Sequence, residues 1–333
     1  MPKVIRAAVI GLGVGEQHAR AWIRRGRARL VGVCDRDREK ALRLSREWKT
    51  KPFQGWGEIV KNPEVDAVSI ATFDKQHARQ VWGAVMAGKH VFVEKPLCRS
   101  QTELKQIRKA WSLRKPALMA NLVLRAAPLY RKIQQMVGAG KLGKIYALDG
   151  DYLYGRIHKI TGGWRSRDKT YSVMAGGGVH LLDLILGFAK EKPVSVTAVG
   201  NRISTRGSRF RRNDFVSAVF QFPSGLVARV TANFGCMHRH QHSLRIFGTR
   251  GTLLVDDVGV RWHRSRRPAA KPIWLKDTRL PSSKGALIPH FISLIRAGRG
   301  VRKKAAEREF SLAACLIAAD QALKTGAQQR IRE

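Results

Sequence analysis

Short apolar runs alternate with longer amphipathic stretches over the first third of the chain. Residues 4–10 form an apolar run of the length of a buried parallel strand. It meets Gly11, Gly13 and Gly15 and then a helix-forming stretch over 19–25. A second apolar run, 30–34, ends on Asp35 and precedes a helical stretch rich in Arg, Lys and Glu that runs to about Trp48. Next come a predicted strand over 66–72 and a crossover helix over 76–87, with Gly88 as its C-cap. A fourth strand over 90–93 runs into Glu94-Lys95-Pro96-Leu97, followed by a helix over 102–113 and a fifth strand over 117–121. Strand alternating with helix to this depth predicts a doubly wound parallel sheet, and ligands of such sheets sit outside the carboxyl ends of the strands. Those ends are Gly11 to Gly15, Asp35, Thr72, Glu94-Lys95 and Asn121.

After residue 121 the pattern changes. A helix is predicted over 128–137 up to Gly138, then a strand over 144–154. The run Ala175-Gly176-Gly177-Gly178 opens an apolar helix over 179–188. Strand-like runs follow over 194–199, 215–222, 226–234, 242–247 and 252–255, separated by turn signals such as Pro223-Ser224-Gly225. Two helices close the chain, over 286–296 and 312–325. The expectation is α/β, an N-terminal Rossmann doubly wound parallel sheet, plus a C-terminal α+β domain on a large, mainly antiparallel open sheet. The boundary is placed between a 1–121 dinucleotide-binding domain and a 122–333 domain.

The glycine turn carries the first chemistry. Where a chain passes from strand to helix at glycines, bare backbone N–H groups can approach a pyrophosphate, and the helix N-terminus adds partial positive charge. Asp35, twenty residues past Gly15 at the end of the next strand, has the spacing of the carboxylate that holds an adenosine ribose 2′-hydroxyl. The spacing here is G-x-G-x-G, one residue short of G-x-G-x-x-G, so a tight turn without a ligand is the alternative.

Composition adds little until charge is considered. Apolar content of 44% is that of a globular protein, and no stretch excludes charge for the length of a membrane span. Lys3 and Arg6 precede an apolar run, but no small-residue cleavage site follows, so a secretory signal is not expected. Cys34, Cys98, Cys236 and Cys315 show no paired spacing, as suits a reducing cytoplasm. The 63 Lys and Arg against 24 Asp and Glu give a net charge of +39, clustered at 24–29, 202–212, 261–279 and 299–304. No cluster is a long tail or alternates with aromatics. A solvated basic surface is therefore favoured over a polyanionic partner, and neither a specific nucleic acid nor a membrane is expected. Strand alternation over His238, His240 and His242 would put three imidazoles on one face, but no second shell surrounds them and no metal is expected.

Glu94-Lys95-Pro96, the glycine turn, Asp66-Ala67-Val68 with Ala71-Thr72, and Gly178-Val179-His180 with Asp183 together resemble the Gfo/Idh/MocA family of oxidoreductases over nearly the whole chain. The resemblance implies hydride transfer between a nicotinamide cofactor and a sugar-like alcohol. It makes 122–333 the substrate-binding and oligomerisation domain of a homo-oligomer, dimer or tetramer. By position, Lys95 resembles the family's active-site lysine, which can stabilise alkoxide charge. His180 resembles its histidine acid/base. The family often has Asp four residues before that histidine, where this chain has Gly176. Asp183, one turn on, is either a substitute partner or a buried structural acid.

The cofactor residues so implied are Gly11, Gly13, Val14, Gly15, Asp35, Arg36, Thr72, His77, Glu94, Lys95 and Asn121. NAD is expected rather than NADP, because Asp35 repels a 2′-phosphate; Arg36 beside it is the residue type that accepts one. The substrate residues are Lys95, Arg125, Tyr154, Arg156, Trp164, Arg165 and His180. Segments 162–165 and 200–202 resemble nucleotide-sugar members. With Arg125, Arg156, Arg165 and Lys169 they point to a nucleotide-linked sugar such as a uridine diphosphate hexose. The alternatives are a free sugar or inositol, or a non-catalytic nucleotide-sensing or nucleic-acid-binding protein on the same fold.

Overall fold

The computed structural model describes residues 4–332 apart from Arg24, Arg25, Arg27, Asp277 and Thr278. The end of the helix expected over 19–25, Lys3, and parts of the basic clusters at 24–29 and 261–279 therefore lie outside the described residues. Contacts divide the chain into two units, Met1–Val123 with Pro281–Ala313, and Leu124–Leu280 with Ala314–Arg332.

The first unit runs β1 (Ile5–Ile10), α1 (Gly15–Ile23), β2 (Ala28–Cys34), α2 (Arg38–Glu47), β3 (Lys51–Pro52), α3 (Trp56–Lys61), β4 (Ala67–Ile70), α4 (Asp74–Met86), β5 (His90–Val93), α5 (Gln101–Arg114) and β6 (Leu118–Ala120). Its described strands form a parallel sheet in the order β3-β2-β1-β4-β5-β6. Chain order reverses beside β1, which makes the end of β1 the ligand-binding switch point of this architecture. Ala7, Ala8 and Val9 are fully buried, as strands covered on both faces require. Side chains start the helices where local polarity allows, with Asp37 capping α2 and Ser100 capping α5. β3 and α3 escape the sequence pattern because two exposed residues and a six-residue helix carry no measurable period.

The second unit contains α6 (Pro128–Gly138), β7 (Ile145–Leu153), the short helices α7 (His158–Thr161) and α8 (Gly163–Arg167), and one π-helical turn, Met174–Gly178, leading into α9 (Val179–Ala189). Then follow β8 (Ser195–Asn201), β9 (Phe215–Gln221), β10 (Val227–Asn233), β11 (Gln241–Gly248), β12 (Gly251–Val255), β13 (Val260–His263) and β14 (Ile273–Trp274). After α10 (Ile288–Arg296) and α11 (Arg299–Thr325), β15 (Gln329–Arg330) completes the sheet. The described order is β14-β13-β12-β11-β7-β10-β9-β8-β15, antiparallel throughout except where β7 lies parallel to β10. Val216, Ala218 and Phe220 of β9 alternate inward with Ala228, Val230 and Ala232 of β10. Across three neighbouring strands Arg229 pairs with Asp149 (3.2 Å) and Asp151 (2.9 Å), and Arg245 stands 3.6 and 3.7 Å from the same two carboxylates.

Pro281–Ala313, which the sequence pattern assigns to the second domain, contacts the first unit instead. Phe291 of α10 is fully buried against Trp22 (ring centroids 6.1 Å apart) and Phe92 (5.4 Å). α11 starts at Arg299, well before the expected 312, and is divided between the units after Ala313. Its first turns hold Phe310 against Trp111 (5.8 Å) and Glu307 against Arg108 (2.9 Å).

His90 opens β5 and accepts a hydrogen bond on Nδ1 from the Ala117 amide (2.9 Å). Burial, reinforced by the Arg302 charge, pushes its pKa down from 6.5 to about 4. The unfolded chain therefore takes up a proton that the native state refuses, and stability should fall as pH drops through that interval. Melting temperature measured against pH is expected to show this slope, and a His90→Gln variant to flatten it.

Candidate active site

In the first unit the glycine turn is built by exclusion. Gly11 has φ +88°, and a Cβ there would stand 2.7 Å from the Ala71 carbonyl oxygen, so only glycine closes this turn. A Cβ on Gly15 would lie 2.9 Å from Val9 Cγ1, so the early third glycine still does the work of packing α1 onto β1. Gly13 differs, because a Cβ there would meet nothing within 4 Å. Open space thus faces bare backbone at the N-terminus of α1, beside the half-exposed Val14. The Leu12 amide donates to Asp35 Oδ2 (2.5 Å) and the Asp37 amide to Oδ1 (2.8 Å), which fixes the carboxylate at the end of β2. Arg36 is exposed and lies over the Phe73 ring (5.7 Å). An open anion cradle with an anchored acid beside it fits a dinucleotide's pyrophosphate and ribose.

The other strand ends join this row. Thr72 Oγ1 donates to Gln80 Oε1 (2.7 Å). His77 is fully buried, with Nδ1 2.8 Å from the Pro96 oxygen and Nε2 3.0 Å from the Thr72 oxygen. It braces the loop after β4 against the loop after β5, and so sets the frame of Lys95, whose peptide to Pro96 is cis. Asn121 Nδ2 donates to Glu94 Oε1 (2.7 Å) and to the Lys284 oxygen (2.8 Å), while His18 Nε2 lies 3.3 Å from Glu94. Burial pushes the Glu94 carboxyl up. The His18 hydrogen bond and the charges of His18, Lys95 and Lys284 outweigh it, leaving a pKa of about 2. Lys95 therefore follows a carboxylate that stays ionised at neutral pH. His18 was not legible as a site residue, although its place three residues after Gly15 was the available signal.

In the second unit the glycine run before α9 admits the chain's own rings. A Cβ on Gly176 would collide with the Tyr171 hydroxyl and stand 2.8 Å from its Cζ. One on Gly177 would collide with Tyr152 and stand 2.8 Å from Phe234 Cε2. His180 follows on α9, 6% exposed, with its ring 6.1 Å from Tyr152 and 5.8 Å from His242. His240 and His242 stand 4.9 Å apart and each packs edge-on to Tyr152. Burial pushes the Tyr152 phenol pKa up, so it stays protonated. His238 turns instead to Asp257 (3.3 Å), so the three histidines do not share one face. Among the described residues no group of three or more His, Cys, Asp or Glu is placed to hold a metal.

Both Asp183 oxygens accept from Arg125, Nε at 2.9 Å and Nη2 at 2.7 Å, with the side chains 1% and 13% exposed respectively. Asp183 is thus a buried ion-pair partner, and two donors of Arg125 are committed to it. Arg156 lies over the Tyr154 ring (5.0 Å) with Nη2 2.5 Å from His240 Nδ1. Arg165 lies over Trp164 (4.6 Å) and Tyr171 (5.9 Å), and Trp164 packs edge-on to Tyr171 (5.8 Å). Tyr154, Arg156, Trp164, Arg165 and His180 are thereby gathered around Tyr152, Tyr171 and Phe234. Tyr152 and Tyr154 share a strand face, a period-two signal that was readable; Tyr171 and Phe234 gave none.

Residues 5–121 match the profile of the oxidoreductase family with the NAD-binding Rossmann fold, and residues 130–254 match the GFO/IDH/MocA C-terminal domain. The chain belongs to the Gfo/Idh/MocA oxidoreductases. Its first unit carries that family's NAD-binding domain. Among family relatives, inositol 2-dehydrogenase 3 of Saccharopolyspora erythraea is 26% identical over 260 residues, 76% of this chain and 73% of that one. The NAD-dependent scyllo-inositol 2-dehydrogenase of Bacillus subtilis is 26% identical over 272 residues, covering 78% and 75%. A levoglucosan dehydrogenase solved with NADH and levoglucosan superposes with a TM-score of 0.82 at 17% identity, over 99% of this chain and 100% of that chain, which establishes the shared fold. No helix among the described residues is long and apolar enough to cross a membrane.

Proposed function

We propose that this Gfo/Idh/MocA protein is an NAD-dependent dehydrogenase or reductase of a cyclic sugar or polyol. The observation that carries this reading is Lys95 at the end of β5, next to an ionised Glu94 and in the same row of strand ends as the Gly13 cradle. Bound nicotinamide supplies the hydride acceptor or donor. The Lys95 ammonium binds the reacting oxygen and stabilises the charge that develops on it. His180 takes the hydroxyl proton or returns it, as an imidazole general acid/base can. Relatives named for inositol and for 1,5-anhydro-D-fructose act on ring compounds bearing several hydroxyls, which supports the substrate class. The rings of Tyr154 and Trp164 supply apolar walls of the kind such sites use. We include in the proposal a homo-oligomer, dimer or tetramer, which sedimentation would measure.

A second reading, a nucleotide-linked sugar such as a uridine diphosphate hexose, is favoured by Arg156 and Arg165 beside the same rings, since guanidinium groups hold phosphates bidentately. A screen following NADH absorbance across sugars, inositols and nucleotide sugars separates the two. Equal efficiency on a free sugar and its nucleotide conjugate removes the second reading. NADH binding without turnover on any of them removes both, in favour of nucleotide sensing.

NADH should bind more tightly than NADPH, because the anchored Asp35 carboxylate welcomes a ribose hydroxyl and repels a phosphate. Comparing the two dissociation constants checks this, and tighter NADPH binding would refute it.

A further inference from the structure

The stretch before α9 leaves one pairing unexplained by packing alone. Gly176 lies four residues before His180, and across a helical turn residues at that spacing share a face. A side chain at 176 would therefore be the natural holder of the His180 ring, yet 176 has none. The position is filled from outside, since the hydroxyl oxygen is the Tyr171 atom nearest to where a Cβ on Gly176 would stand. Tyr171 is 5% exposed and its ring is clamped by Trp164 (5.8 Å), Phe210 (6.1 Å) and Phe234 (6.5 Å). A buried phenol aimed at the helix face that carries a histidine provides both a hydrogen-bond donor and an acceptor. A purely packing role needs only the ring.

The geometry points to Tyr171 as the positioning residue of His180, its hydroxyl standing in for the side chain that Gly176 lacks. This rests on the reading of His180 as the acid/base. A neutral phenol orients an imidazole without adding charge, whereas a carboxylate at 176 would favour the imidazolium and raise its pKa. Among the described residues, the groups facing His180 or one turn away include the Tyr152 phenol, the His242 imidazole and the Arg125–Asp183 pair, and these stay in place in the variants below.

The test uses the full chain with a substrate found in the screen above. Tyr171→Phe keeps the ring and removes the oxygen. It is expected to lower kcat roughly 10- to 100-fold, the scale on which orienting partners act. KM, NADH affinity and melting temperature should change little, while the pH profile of kcat shifts. Gly176→Asp alone should collide with Tyr171. Gly176→Asp combined with Tyr171→Ala should recover activity above that of Tyr171→Ala and move the profile to higher pH. Unchanged kcat and pH profile in Tyr171→Phe would overturn the inference, as would a loss that tracks a fall in melting temperature. His180→Ala read alongside separates the two claims. If it turns over normally, the proposed function's acid/base fails; if it is inactive and Tyr171→Phe is normal, only the positioning role fails.

Discussion

Replacing Lys95 by Ala is expected to lower turnover by about two or more orders of magnitude, the loss typical of an acid–base or charge-stabilising group. His180→Ala should do the same. Lys95 is held by its frame: Glu94 follows directly on β5, His77 ties the loop to its neighbour, and Asn121 fixes the Glu94 carboxylate. That carboxylate stays ionised partly because Lys95 is positive, so the two charges support one another. Removing the ammonium takes away one positive charge near Glu94, and the His18 hydrogen bond and the Lys284 charge keep it from becoming an uncompensated buried anion. The fold should therefore survive while the chemistry fails. NADH affinity should persist in His180→Ala, because its dinucleotide cradle belongs to the other unit. Single-turnover kinetics beside NADH titration would check both variants, and near-normal turnover of His180→Ala would remove that residue from the mechanism.

Arg125→Ala should instead act on stability. Asp183 is 1% exposed and both its oxygens are bound by the guanidinium, so truncation takes two charge-assisted hydrogen bonds from a buried carboxylate. Breaking such a pair from one side costs about 3–5 kcal/mol, a large part of a typical domain's stability. Removing both partners, as in Arg125→Met with Asp183→Leu, should cost much less, because nothing charged is left stranded. Urea unfolding of the three proteins measures this. A single variant with an unchanged midpoint and a raised KM would return Arg125 to the substrate contacts that its sequence suggested.

The contrast between these two basic residues shows where the sequence was readable. Lys95 was legible because strand period, chain order and a short motif all lie within a few residues of it. The glycine turn was legible for the same reason, and even its shortened spacing keeps the packing glycine at Gly15. Arg125 was not, since its partner sits 58 residues away and only a folded chain brings them together. The same holds for Gly176, whose missing side chain has meaning only once Tyr171 is seen to occupy the space. The start of α11 was hidden because the basic run 299–304 masks the apolar positions Ala306 and Phe310 that pack it. Three of the nine described strands of the large sheet, β13, β14 and β15, were missed, two of them being only two residues long.

The return of Pro281–Ala313 to the first unit fixes an order of events during synthesis. Phe92 and Trp22 leave the ribosome early, but Phe291, which covers both, is made some two hundred residues later. Until then the nucleotide-binding half carries an uncapped apolar face, and Asn121 lacks the Lys284 carbonyl that it will bind. The intervening unit is thus translated while its elder neighbour is still incomplete. A fragment cut at residue 121 would reproduce that unfinished state permanently, and such exposed apolar surface drives aggregation.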